Sequence, residues 1–249
     1  MIYIIIGVYF VFFGCLVYRY DLFEREPWYA LLFTAVVSGI MTYVFACFVA
    51  DPINEQIAWV GSERLVGSLT AGICEELIKL AAVLITFGVM RHVFNDPFDG
   101  LIYGAFAGLG FAVYETWLYN SYDITTSLQN RAMHGFARFL IHCLLGSLTC
   151  AGLGFARFKT PNWKLTFATL TIASMVLHFS YDYVVLGMMA GNIEKLPLQR
   201  VVLVLVMSML MVLFGRAVVV GSKKSGTVHG KTKRRLYAWP FSLLVSRKD

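Results

Sequence analysis

The sequence predicts an all-α, polytopic membrane bundle of about seven transmembrane helices, with the N-terminus outside and the C-terminus cytoplasmic. Three observations carry this. The 249 residues are 58% hydrophobic and only 14% charged, with a mean hydropathy of +0.68, well outside soluble composition. Seven apolar runs each reach the roughly 20 residues needed to cross a hydrocarbon core of about 30 Å. Alternating strands of the outer-membrane barrel type are absent from the sequence, which leaves helices as the spanning elements.

The first run, 2–18, has no basic n-region and no small-residue cleavage site, so it is expected to stay as a span. The second, 28–50, follows a short acidic loop, "RYDLFEREPW", whose Pro27 suits the first turn of a helix. The third, 69–90, contains "GICEELIKL", two adjacent acids and a lysine inside an otherwise apolar segment. The fourth, 101–119, and the fifth, 136–156, are rich in small residues (Gly104, Gly108, Gly110; Gly146, Gly152, Gly154), which let helices approach closely. The sixth, 164–187, carries "HFSYD", and the seventh, 198–220, is largely apolar. Loops over about 51–68 and 120–135 are the longest on the external side and are where a substrate or lid is expected to be handled. Residues 1–221 are expected to form one transmembrane domain and 222–249 a basic cytoplasmic tail.

That tail sets the orientation. Lys223, Lys224, Lys231, Lys233, Arg234, Arg235, Arg247 and Lys248 fall in the last 28 residues, out of a net charge of +6 for the chain. Placing them in the cytoplasm also places Arg19, Arg25, Arg91, Arg157, Lys159 and Lys164 there, as the positive-inside rule asks. Beside a membrane such a tail lies against anionic headgroups, so lipids are expected partners and nucleic acid is not. The five cysteines fall in or at the edge of apolar spans without CxxC spacing, and are taken as small hydrophobes.

A charge at mid-bilayer costs roughly 2.5–3.5 kcal/mol even on lenient scales, so intramembrane ionisable groups mark function by default. Those picked out within the third to sixth spans are Glu75, Glu76, Lys79, Glu115, Arg138, His142, His178 and Asp182. At about 1.5 Å per residue, Glu75, Glu76, Glu115, His142 and His178 all fall about 9 Å from the outer face, although their helices alternate in direction. Lys79 stands three and four residues from the two acids, so it pairs with one of them and leaves the other free. Asp182 is four residues from His178 and can orient its ring or join it at a metal. Arg138 is expected to snorkel or pair. Three chemistries fit this set: a divalent metal with a Glu base, water activated by a Glu/His pair, or an ion relay.

"YDLFEREP", "EELIK", "DGLIYGAFAGLGFAVYE", "HCLLGSLTCAGLGFAR" and "HFSYD" resemble, in order and spacing, the PrsW family of intramembrane proteases, which is related to the CAAX prenyl endopeptidases. The resemblance implies an endopeptidase of the bacterial inner membrane. It would make the first, site-1 cut in the extracytoplasmic region of a single-pass membrane protein such as an anti-sigma factor, in stress signalling. It also implies that Glu75 and Glu76 are the essential acids, one of them the general base. His142 and His178 become metal ligands, or a water-activating and an oxyanion-stabilising pair. Lys79, Glu115 and Asp182 would support them, and the metal-binding candidates are His142, His178, Glu115 and Asp182, with zinc the foremost metal. Asp182 stands where the prenyl endopeptidases carry asparagine; an ionised aspartate cannot donate to an oxyanion, which favours coordination or orientation of His178. Thr116 replaces an asparagine that usually follows the acid at Glu115.

The competing classes are a catalytically silent membrane scaffold, a proton-coupled carrier and a lipid-modifying enzyme. A carrier needs polar residues continuing to the inner face, and the lower halves of these spans hold none comparable.

Overall fold

The computed structural model describes residues 2–19, 25–50, 63–122, 127–160, 162–189 and 196–228, and every regular element among them is helical. In chain order these are α1 (Ile2–Arg19), α2 (Trp28–Phe45, continued by a π-helical turn Ala46–Ala50), α3 (Glu63–Thr70), a second π-helical turn (Ala71–Glu75), α4 (Glu76–Val89), a 3-10 turn (Arg91–Val93), α5 (Asp99–Tyr122), α6 (Leu128–Arg157), α7 (Trp163–Met189) and α8 (Leu196–Val228). Six of them are long and apolar enough to cross a membrane. The third expected span is a composite of α3, the π turn and α4, none of which reaches that length alone.

Helices replace much of the two long loops expected from the sequence. α3 begins at Glu63, inside the loop expected over 51–68, and residues 51–62 lie outside the described residues. α5 runs to Tyr122 and α6 starts at Leu128, because Ser127 caps α6: its Oγ accepts from Asn130 N at 3.3 Å. The expected tail boundary at 221/222 falls within α8, and residues 229–249 lie outside the described residues.

α5 and α6 form the centre. Of their spanning windows 72% and 83% is buried, against 11–28% for α1, α2, α7 and α8, which surround them. The reason is the spacing of small residues by four. A methyl on Gly104 would strike Gly146 O, one on Gly108 would strike His142 O, and one on Gly146 would strike Gly104 O. The other glycines noted in these spans serve different neighbours: Gly110 faces Ala35 O of α2, Gly152 faces Phe167 of α7, and Gly154 faces Pro97 O before α5.

Polar contacts fix the outer helices on this pair. Thr34 of α2 and Thr86 of α4 pair through their hydroxyls at 2.9 Å, and Tyr9 of α1 donates to Ala132 O of α6 at 3.0 Å. Tyr103 of α5 donates to buried Glu26 at 2.5 Å, while Asp99 Oδ2 accepts from Asp96 N and Asp96 Oδ1 from Phe98 N, both at 2.6 Å. Glu26, just before α2, and the "DG" stretch that opens α5 thus lie at one end of the bundle, where they bind α2 to the start of α5.

Candidate active site

The acids of "GICEELIKL" sit where the helix changes register. Ala71–Glu75 is π-helical and Glu76 opens α4, a wide turn of the kind found at functional sites. It can lie against α7 only because residue 72 is glycine: a Cβ there would be 2.8 Å from Met175 O and 2.9 Å from Phe179 N. His178 stands between those two residues. On the opposite side Gly108 brings α5 against the backbone of His142. Close packing at two glycines therefore delivers α4, α5, α6 and α7 to one place.

Each histidine is held through one ring nitrogen. His178 Nδ1 donates to Glu76 Oε1 at 2.8 Å, and His142 Nε2 pairs with Glu115 Oε2. The two ring centroids are 5.3 Å apart. His178 Nε2 lies 3.4 Å from Glu75 Oε2 and 3.4 Å from Asp182 Oδ2. His142 Nδ1 and Glu75 Oε2 are buried without a hydrogen-bond partner. One ligand atom from each of Glu75, His142 and His178 lies within 4.8 Å of the other two.

Glu75 and Glu76 differ sharply. Glu76 and Lys79 have 0% side-chain exposure and pair at 2.5 Å. Glu76 Oε1 also accepts from His178, and Oε2 accepts from Thr149 at 2.6 Å with Ser174 Oγ 3.2 Å away, so Glu76 is enclosed by protein groups. Glu75, Glu115 and Asp182 keep 18%, 20% and 24% of their side chains exposed and line the open side. Arg138 contacts Glu115 Oε1 at 3.5 Å and covers the Tyr119 ring at 4.2 Å, so it pairs rather than snorkels.

The eight intramembrane ionisable residues picked out from the sequence thus form one cluster. Two participants were not anticipated, Thr149 and Ser174. Their signal was phase: Thr149 is seven residues after His142 and Ser174 four before His178, on the same helix faces. Phe111 was also missed; its ring lies 4.7 Å from His142 and 4.9 Å from Lys79 Nζ.

The donor set suits a cation. Two imidazoles and a carboxylate with open positions is a common catalytic zinc and non-haem metal arrangement, and carboxylates behind both rings supply the usual outer support. A buried carboxylate oxygen and a buried ring nitrogen without partners are costly unless something binds them.

A family model described as PrsW family intramembrane metalloprotease matches residues 26–214, more than half of the 249. The chain belongs to the PrsW family. It is similar to Protease PrsW of Bacillus subtilis (strain 168), 28% identical over 185 residues that cover 72% of this chain and 80% of the relative. It is also similar to Protease PrsW of Geobacillus kaustophilus (strain HTA426), 27% identical over 175 residues covering 68% and 73%. No solved structure matches significantly. This PrsW-family chain is a membrane-embedded hydrolase, a multi-pass inner-membrane protease, and the cluster just described lies wholly inside the matched stretch.

Proposed function

We propose that this chain is an intramembrane endopeptidase in which Glu75, His142 and His178 hold a divalent metal, zinc before others, and that it makes the first cut in the extracytoplasmic juxtamembrane region of a single-pass, anti-sigma-factor-like protein. The carrying observation is the pair of buried atoms that make no hydrogen bond, Glu75 Oε2 and His142 Nδ1, gathered with His178, whose Nε2 is 3.4 Å from that Glu75 oxygen. The basic C-terminal sequence puts the C-terminus in the cytoplasm and, with seven spans, the N-terminus outside. Glu75 then lies near the outer face, where such a substrate emerges from the bilayer.

A divalent cation held by these three residues supplies Lewis acidity to the scissile carbonyl and to water. The chain's own groups do the rest. Glu76 and Glu115 orient the two rings from behind. Asp182, on the open side beside His178, is placed to take a proton from the attacking water and return it to the leaving amine. The substrate amide must be unwound to be attacked, because helical hydrogen bonds shield it. Small or helix-breaking residues near the outer end of the substrate are therefore expected to favour cleavage.

The test is cleavage of a co-reconstituted single-pass anti-sigma-like substrate by wild type, Glu75→Gln, His142→Ala and His178→Ala, each with and without chelator. Cleavage lost in the folded variants, and lost with chelator but restored by zinc, is expected. Cleavage that survives chelation would transfer Glu75 to the role of base acting on water, and cleavage unchanged in all three variants would remove the site assignment.

A further inference from the structure

Behind the cluster, between α6 and α7, lie two hydroxyl side chains given no role above. Thr149 Oγ1 is 2.6 Å from Glu76 Oε2 and 2.7 Å from Ser174 Oγ; Ser174 Oγ is 3.2 Å from the same carboxylate oxygen and 3.1 Å from Leu145 O. Thr149, Ser174 and Glu76 are all buried. Each hydroxyl has one proton, so the shorter contact makes Thr149 the donor to Glu76, with Ser174 packed behind it.

Around His178 there is a competition. Glu76 Oε1 lies 2.8 Å from Nδ1, while Glu75 Oε2 and Asp182 Oδ2 each lie 3.4 Å from Nε2. Whichever carboxylate reaches the ring best decides which nitrogen carries the proton. Glu76 wins only while its carboxylate stays in place. Without Thr149, Oε2 would be a buried anionic oxygen short of a donor, and the carboxylate would turn towards Lys79 Nζ, 2.5 Å from Oε1.

We propose that Thr149, backed by Ser174, is a positioning residue: it pins Glu76 so that Glu76 holds His178 by Nδ1 and leaves Nε2 facing Glu75 and Asp182. The inference rests on the reading of His178 as a member of the site. It adds a hydroxyl pair on two further turns to the machinery, acting through Glu76 without touching substrate.

Solution NMR of the full chain in nanodiscs, labelled with ¹⁵N-histidine and kept metal-free with chelator, reads the ring directly; His178→Gln assigns its signals. In wild type, protonated Nδ1 and bare Nε2 are expected. Thr149→Val should move the larger share of the population to protonated Nε2, Thr149→Ser should restore the wild-type pattern, and Ser174→Ala, the milder change, should shift it the same way by less. An unchanged His178 pattern in both Thr149→Val and Ser174→Ala would overturn the proposal. Titration of the same samples with Co²⁺, followed by its visible absorption, separates this from the metal reading. A wild type that binds no Co²⁺ ends the metal reading and leaves the ring result standing, whereas a 10–100-fold weaker Co²⁺ affinity in Thr149→Val supports both.

Discussion

Glu75 and Glu76 are adjacent and chemically identical, yet their surroundings assign them different work. Glu76 is surrounded by Lys79, His178, Thr149 and Ser174, so it is a support, while Glu75 keeps a buried oxygen that makes no hydrogen bond, 3.4 Å from His178 Nε2. Substituting each by glutamine should separate the two. Glu76→Gln strips the buried Lys79 ammonium of its counter-charge and should destabilise the fold by about 3–5 kcal/mol, read as a lowered unfolding midpoint. Glu75→Gln should leave that midpoint in place and reduce cleavage by more than about 100-fold, beyond the usual cost of losing an outer-shell group. Glu115→Gln, which loosens His142 without removing it, should cost about 10–100-fold in cleavage. The division of labour between the acids was partly legible in the sequence, since Lys79 at i+3 had to neutralise one of them. Thr149 and Ser174 were not, because hydroxyls in apolar helices ordinarily bond back to their own carbonyls, and only their phase relative to the histidines set these two apart.

Among the helices, α5 and α6 form the rigid centre against which the others deliver their side chains. The contact of Gly108 with the backbone of His142 joins packing to chemistry. Gly108→Ala should push α6 away, cost about 1–3 kcal/mol in overpacking, and remove most cleavage while helical content by circular dichroism is unchanged. Gly7, around which a methyl meets nothing within 4 Å, is the matching control, and Gly7→Ala should be silent. Hydropathy and glycine spacing disclosed these helices and their close approach. The π turn at Ala71–Glu75 left no trace in hydropathy, since an inserted residue changes register and not composition. Nor did hydropathy reveal the first turns of α3 and α6, where Arg64, Gln129, Asn130 and Arg131 are too polar to register as span yet remain helical.

For the whole molecule, composition settled the class, and the order of five short motifs settled the family, because backbone crossings impose fixed spacings on residues that must meet. The proposed orientation rests on charge alone. Single cysteines introduced at position 2 and position 228 of a chain freed of its native cysteines should react with a membrane-impermeant maleimide in intact cells only at position 2. Labelling at position 228 instead would put Glu75 on the cytoplasmic side and end the extracytoplasmic substrate reading. The central claim is that Glu75, His142 and His178 together hold a metal, and the most direct measurement is the metal content of the purified, reconstituted chain by elemental mass spectrometry, for wild type and Glu75→Gln side by side. The account predicts about one zinc per wild-type chain and almost none in the folded variant, since the donor set of a catalytic zinc is incomplete without the carboxylate. Equal metal content in the two proteins, or none in a wild type that cleaves, would contradict it.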